Sequence, residues 1–432
     1  MQLKAVSRAA HRALLLHFRG PGYAIVCRPQ PFPALTIAVS DSTAASLFFR
    51  IGAVPPENSD WAKPGDRSSV NWERIIATAL VENSITVLND RIAKLPDSSV
   101  PATVRARVGR LAMVWTFKLQ LLEKRLAESV AALAEAGIDV TLMKGAALAL
   151  TVYPRFTDRP MADLDILVDP SRAQSSYAAL LGAGWTVASI PRPEDDWQDH
   201  HHLPPLVDTA GTCLRLELHT APLVPSSPFQ LASSDLISKA RRIDLRGTSV
   251  LVPDPHVHAV HAAIHFAYSH GFASGGLNVF RDLVMLRSRG GLTWDGFLNA
   301  AVRTRSESCC YWTLRLARSL AAIDVPDVLL DALSPQLGDR ISAMLETHFS
   351  QLVLRADHAC PSVELRQRLW EFALQIKRSE IRSASMLEHS ASSESRRSEA
   401  SALRRVGAHV RRAPEWSRYV ASLLGPALEL TA

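Results

Sequence analysis

Met143-Lys-Gly-Ala-Ala-Leu-Ala-Leu150 is followed by Tyr153-Pro154 and then by Arg159-Pro-Met-Ala-Asp163-Leu-Asp165-Ile-Leu-Val168. Asp163 and Asp165 stand two apart in an apolar run that reads as a strand. The pleat therefore points both carboxylates to one face, with Leu164 and Ile166 on the other. Two carboxylates side by side repel each other, and the arrangement makes sense when a divalent cation sits between them. Hard cations such as Mg²⁺, or Mn²⁺ in its place, take carboxylate oxygens together with substrate phosphates.

A third carboxylate follows in Cys213-Leu-Arg-Leu-Glu217-Leu-His219, a second alternating segment in which Arg215, Glu217 and His219 share one face. Pairing of the two strands would gather the acids round one point. With a glycine turn and with Lys144 and Arg159 nearby, these are the parts of two-metal phosphoryl or nucleotidyl transfer, in which metals clamp the attacking and leaving oxygens. A lone Asp-x-Asp is common on surface strands. The Lys144-Gly145 turn upstream and Glu217 downstream are what give this one its meaning.

Together these residues resemble the signature of the DNA polymerase β-like nucleotidyltransferase superfamily: a Gly turn opening a helix, Asp-x-Asp on a strand, and a later acid on another strand. More narrowly, they resemble the bacterial uncharacterised nucleotidyltransferase family, whose turn reads Leu-Lys-Gly, whose helix is followed by Tyr-Pro, and whose third acid lies in an acid-Leu-His sequence. The matching residues are Lys144, Gly145, Tyr153, Pro154, Arg159, Asp163, Asp165, Glu217 and His219, and the resemblance runs from Asn71 to the region of Trp294. It departs from the superfamily at Ala146, where a second Gly or a Ser is usual, and in a longer path from the turn to Asp163.

The resemblance implies an α+β fold, with a polymerase β-like core of a short mixed sheet and flanking helices, and all-helical N-terminal and C-terminal parts. It implies a Mg²⁺- or Mn²⁺-dependent enzyme that moves a nucleoside monophosphate from a nucleoside triphosphate to an acceptor. Asp163, Asp165 and Glu217 are the expected catalytic and metal-holding residues, with Glu217 also helping to deprotonate the acceptor. Lys144, Gly145 and Arg159 are the expected nucleotide-binding residues, and His202 and His219 are candidates for the rim of the site. The acceptor stays open among a small molecule, a peptide, a protein side chain and an RNA.

The rest of the 432-residue chain has an ordinary globular composition, 47% hydrophobic and 21% charged, and is long enough for two or three domains. No apolar run reaches eighteen residues, so no membrane span is expected. Arg8, Arg12 and Leu14-Leu15-Leu16 begin like a signal peptide, but His17 and Arg19 interrupt it and no small-residue cleavage site follows, which leaves the cytoplasm as the expected location. Cys27, Cys213, Cys309, Cys310 and Cys360 show neither an even count nor Cys-x-x-Cys spacing and read as buried thiols. The net charge of +6 suits an anionic partner, nucleotide or nucleic acid. Part of the excess sits at Arg396, Arg397, Arg404, Arg405, Arg411 and Arg412, where no aromatic residues are interleaved for base stacking, and reads as a solvated tail.

The expected organisation is an extension of unknown role over 1–65, a helical region over 66–137, the nucleotidyltransferase core over 138–252, a helical domain over 253–378 and a basic tail over 379–432. Within it, Pro101 opens a long helix that Gly137 stops, and a strand over 138–143 leads into the Lys144-Gly145 turn and a helix to Tyr153. After the acidic strand, Pro170 opens a helix that ends at Gly182-Ala-Gly184, and strands lie near Trp185, over 203–207 and over 214–218. Helical periodicity then runs over 258–268, 277–287 and 297–320, and on to about Ile376.

Several residues carry competing expectations. His258, His261 and His265 recur at helical spacing and His200-His201-His202 form a run, which admits a zinc hydrolase. Without His-Glu-x-x-His a packed histidine face is the plainer expectation. Arg159 pairs with Asp158 or Glu194, or else contacts the triphosphate. Asn278, Arg281 and Asp282 share one side of a helix and either face the cleft or form a surface ion pair, the plainer outcome. A module that binds nucleotide without turnover is the alternative to an enzyme.

Overall fold

In a computed structural model, the structure describes residues 48–50, 52–53, 70–188, 200–354, 362–376 and 415–423. The arginine run from Arg396 to Arg412, Glu194, Cys27 and Cys360 lie outside them. Two helices come first, α1 (Trp72–Val81), whose first turn Asn71 caps from its side chain, and α2 (Ile85–Ala93). The 34-residue helix α3 (Ala102–Glu135) follows. Pro101 precedes it, and it ends at Gly137 as the sequence predicts. There the Ile138 N–H reaches the Leu133 carbonyl at 2.9 Å and Gly137 sits at φ +66°, a left-handed cap that glycine adopts without steric cost.

Beyond the cap come β1 (Thr141–Leu142), α4 (Lys144–Thr151), β2 (Asp163–Leu167), α5 (Ala173–Gly182), β3 (Trp185–Val187), β4 (Leu206–Asp208), β5 (Arg215–His219), the short α6 (Ser233–Ile237) and the hairpin β6 (Arg241–Leu245) and β7 (Thr248–Val252). These strands form one seven-stranded mixed sheet in the order β3-β4-β5-β2-β1-β7-β6. The acidic strand β2 is central, antiparallel to β1 and parallel to β5. The hairpin was not resolved as a separate feature of the sequence. Its two-residue turn, Arg246-Gly247, has both φ angles positive at 54° and 89°, the geometry whose twist matches paired strands.

The second half is helical: α7 (Pro255–Ile264), α8 (Gly276–Met285), α9 (Trp294–Arg303), α10 (Glu307–Ala321), α11 (Asp327–Leu333), α12 (Asp339–Val353) and α13 (Val363–Leu374). Two hydrophobic cores meet the sheet. One joins Leu119, Leu122, Leu126, Val130 and Leu133 of α3 to Leu164 and Ile166 of β2 and Leu216 and Leu218 of β5. Each such fully buried aliphatic side chain contributes about 1.5–3 kcal/mol. The other core joins the helical half to Met143, Leu148, Val152, Tyr153 and Leu167.

Three expectations change here. The segment 379–432, expected to be a basic tail, contains a helix over 415–423 whose Leu423 is buried and whose Tyr419 hydroxyl lies 2.8 Å from His348 Nδ1. Trp416, Tyr419 and Val420 pack against the core beside Leu423. The extension over 1–65 contributes Phe48 and Phe49 to the core, with the Phe49 ring edge-on to Phe280. Cys213, expected to be buried, is exposed because it precedes β5 in a left-handed turn conformation at φ +56°, while Cys309 and Cys310 are buried on α10 as expected.

Candidate active site

The chain leaves β1 at Met143, whose N–H is tied to the Asp165 carbonyl at 3.1 Å, and turns directly into α4. Lys144 makes that turn at φ +44°, a left-handed backbone that non-glycine residues adopt only where their surroundings impose it. The turn brings Lys144 Nζ to 2.7 Å from Asp165 Oδ1. Gly145 follows with no room for a side chain: a Cβ there would meet Arg159 Nη1 and Met161 Cβ at 3.3 Å each.

Parallel pairing of β2 with β5 sets Asp165 opposite Glu217 and Leu167 opposite His219. Every second residue shares a face, so Asp163, Asp165, Glu217 and His219 converge. His219 Nε2 lies 2.9 Å from Asp165 Oδ1 and 3.5 Å from Glu217 Oε2. His219 is therefore inside the cluster, fully buried, and not at a rim as expected. The alternation of acid-Leu-His was the signal for its shared face.

The electrostatics separate the two aspartates. Burial, then the charges of Asp165 and Glu217, push the Asp163 carboxyl up to about 7. Burial also acts on Asp165, but the Lys144 ammonium and the His219 hydrogen bond outweigh it and hold that carboxyl well below the usual range. The same opposition lowers Glu217, where the His219 hydrogen bond overcomes burial, and raises His219, where hydrogen bonds to Asp165 and Glu217 do so. Lys144 is raised because the three acids outweigh its own desolvation.

This donor set fits a divalent cation. Ligand atoms of Asp165, Glu217 and His219 lie within 4.8 Å of one another, and the raised Asp163 carboxyl beside them marks more negative charge than Lys144 neutralises. Two carboxylates suit Mg²⁺, and the imidazole widens the choice toward Mn²⁺ and other transition ions. His258, His261 and His265 form no such group among the described residues. His258 and His261 are buried and His265 is half-buried, and desolvation lowers them, His258 to about 4, His261 to about 3 and His265 well below its ordinary value. They are a packed face, as expected, although His258 Nε2 has no hydrogen-bond partner among the described residues.

Arg159 pairs with Asp282 and not with Asp158. It is buried against Asp282 of α8, Nε to Oδ1 at 2.8 Å and Nη2 to Oδ2 at 2.7 Å. Asp158 is taken by Arg155 at 2.6 Å. The surface ion pair expected around Asp282 is thus a buried one, because α8 packs its acidic side onto the loop before β2. Arg281 lies over the Tyr153 ring and donates to the Asp158 carbonyl, and Asn278 donates to the Glu82 carbonyl.

Sequence reasoning missed one neighbour of the acids, while the histidine run that it singled out supplies two neighbours of His219. Lys118 of α3 lies near Asp163: burial lowers its ammonium, and the Asp163 charge pulls the other way. The His201 ring lies tilted at 5.1 Å from that of His219 and is lowered to about 2 by burial, while His202 pairs with His219 through an isolated antiparallel bridge. No local pattern around Lys118 signals this, since the helix brings it in from far upstream.

A family model described as an uncharacterised nucleotidyltransferase matches residues 68–322, more than half of the chain. No curated protein and no solved structure matches it.

Proposed function

Because the chain belongs to that uncharacterised nucleotidyltransferase family, we propose that it moves a nucleoside monophosphate from a nucleoside triphosphate to an acceptor, on a polymerase β-like core formed by the mixed sheet. The observation that carries this reading is the convergence of Asp165, Glu217 and His219 across paired strands, with the Lys144 ammonium 2.7 Å from Asp165 at the start of a helix. Asp165, Glu217 and His219, with Asp163 beside them, would hold a divalent cation, Mg²⁺ or Mn²⁺. Bound there, it supplies positive charge against the triphosphate and the leaving pyrophosphate.

The chain's own residues do the rest. Lys144 adds a half-buried positive charge, held in place by Asp165, that needs little reorganisation as charge develops on the pyrophosphate. The first N–H groups of α4, at Gly145 and Ala146, point along the helix axis toward an anion, where the helix dipole favours negative charge. Arg159 acts from beneath that turn. Of the carboxyls, Asp163 holds a proton more tightly than Glu217, so it is the better acceptor for the proton of the attacking group. The helical half closes over this face and supplies the surface for an acceptor.

The test is pyrophosphate release from each ribonucleoside triphosphate with Mg²⁺ or Mn²⁺, with cell extract as a source of acceptor. Release that disappears in Asp165→Asn is expected. Orthophosphate in place of pyrophosphate, abolished by the same substitution, would make the protein a phosphatase and overturn the reading.

A further inference from the structure

Asp282 lies on α8, in the helical half of the chain, and is 2% exposed. Both of its oxygens accept from Arg159, and Oδ1 also accepts from the Tyr153 hydroxyl at 2.7 Å. The third guanidinium nitrogen of Arg159, Nη1, donates to the Pro160 carbonyl. This is the nitrogen that a Cβ on Gly145 would approach at 3.3 Å. One edge of the guanidinium is therefore locked by Asp282, and the other forms the floor under Gly145, the second residue of α4. A bidentate pair with an added hydroxyl donor fixes a planar group in position and orientation.

Such a pair is a poor device for stability alone, because the desolvation of two charges offsets their attraction and an apolar replacement often does as well. It is a good device for holding geometry. The geometry in question is unusual: Lys144, next to Gly145, is kept at φ +44°, and its ammonium must reach Asp165 from there. His258, from α7, adds a second link from the helical half, through a hydrogen bond with the Lys144 main chain.

We propose that Asp282 is a positioning residue which, through Arg159, sets the Lys144-Gly145 turn and hence the direction of the Lys144 ammonium and of the α4 N–H groups. The purpose of that turn rests on the nucleotidyltransferase reading; its dependence on Asp282 does not. The full-length protein serves for the test, in two measurements. One is hydrogen–deuterium exchange of peptides covering residues 144–151 without metal or nucleotide. The other is ATP affinity with Mg²⁺ by calorimetry, well below the melting temperature.

Asp282→Asn should speed exchange over 144–151 and weaken ATP binding by about tenfold each, since the loss of a charged hydrogen bond is worth about that factor. Tyr153→Phe removes a single hydrogen bond from the same carboxylate and should act in the same direction by about threefold. It decides the matter by the same criteria if Asp282→Asn does not fold. Leu283→Ala is the structural control: Leu283 is buried on the same helix, and its loss should lower the melting temperature while leaving 144–151 exchange and ATP affinity within about twofold of the parent. Unchanged exchange in Asp282→Asn, or equal acceleration in Leu283→Ala, overturns the proposal. Absence of ATP binding by the parent protein would overturn the nucleotidyltransferase reading instead, and the exchange measurement would still decide the role of Asp282.

Discussion

Asp163 and Asp165 look equivalent in the sequence, and their surroundings make them opposites. Asp165 is held ionised by Lys144 and His219, so removing its charge strands a half-buried ammonium; Asp165→Asn should destabilise the metal-free protein by about 3 kcal/mol. Asp163 is desolvated and crowded by like charges, and its carboxyl is raised to about 7. Between about pH 4 and pH 7 the folded protein then binds this proton more tightly than the unfolded chain does, and stability falls as the pH rises through that window. Asp163→Asn removes the penalty. Urea melts in EDTA should show parent and variant converging below pH 5, and the variant more stable by about 1–2 kcal/mol above pH 7, less than the full shift because Asp163 keeps some access to water. A variant less stable than the parent at pH 8 would mean that Asp163 makes attractive contacts. Mn²⁺ should raise the melting temperature of the parent, since a ligand of the folded state stabilises by mass action, and should leave that of Asp165→Asn unmoved. The shared faces of the acids and His219 could be read from alternation, and the place of His219 inside the cluster could not. Nor could the pairing of Asp282 with Arg159 and the approach of Lys118 to Asp163, because charges that the fold brings together from distant parts of the chain leave no periodic trace.

Helix α4 depends on what its first glycine lacks. Gly145 has an ordinary helical backbone, so alanine would gain up to about 1 kcal/mol of helix propensity. Against that stands the missing space: the added methyl group would meet Arg159 Nη1 and Met161 Cβ at 3.3 Å, and Arg159 cannot retreat because Asp282 holds it. Gly145→Ala should therefore lower stability by about 1–2 kcal/mol and weaken nucleotide binding by about tenfold. Thermal melts and ATP calorimetry measure the two effects; a variant as stable and as tight as the parent would show that the turn has slack. Helix starts and stops with chemical markers, Pro101, Gly137 and Pro170, were readable from the sequence. Helices α9 and α10 read as one periodic run, and the structure breaks it at Thr304 and Ser306, both fully buried and hydrogen-bonded to each other at 2.8 Å. Polar residues on an apolar face look like noise in a periodicity and act here as a corner. The π turns that end α7, over His265–Ser269, and α8, over Leu286–Gly290, were equally hidden, since one inserted residue barely alters a 3.6-residue pattern.

The segment boundary expected near Val252 separates a catalytic part from a helical part by sequence pattern, and the packing crosses it. Met143, Leu148, Val152, Tyr153 and Leu167 lie at the Lys144-Gly145 turn, within and just after α4, and in β2, yet they share a core with Phe266, Phe280, Phe297 and Trp312. Patterns of hydrophobicity mark which residues are buried and are silent about what buries them. A chain cut after Val252 would expose these five side chains, each worth up to about 1.5–3 kcal/mol, a total on the order of 10 kcal/mol and as large as the net stability of an ordinary domain. The buried Arg159 would also lose Asp282. Residues 66–252 expressed alone should therefore fail to fold, giving no cooperative melt and rapid amide exchange in β2 and α4. The intact protein should unfold in a single calorimetric transition whose van't Hoff and calorimetric enthalpies agree, and Mn²⁺ with ATP should shift that transition as a whole. Two separate transitions, of which only one responds to metal and nucleotide, would show that the catalytic sheet stands without the helices, and that its contacts with them fix the site's geometry without holding up its fold.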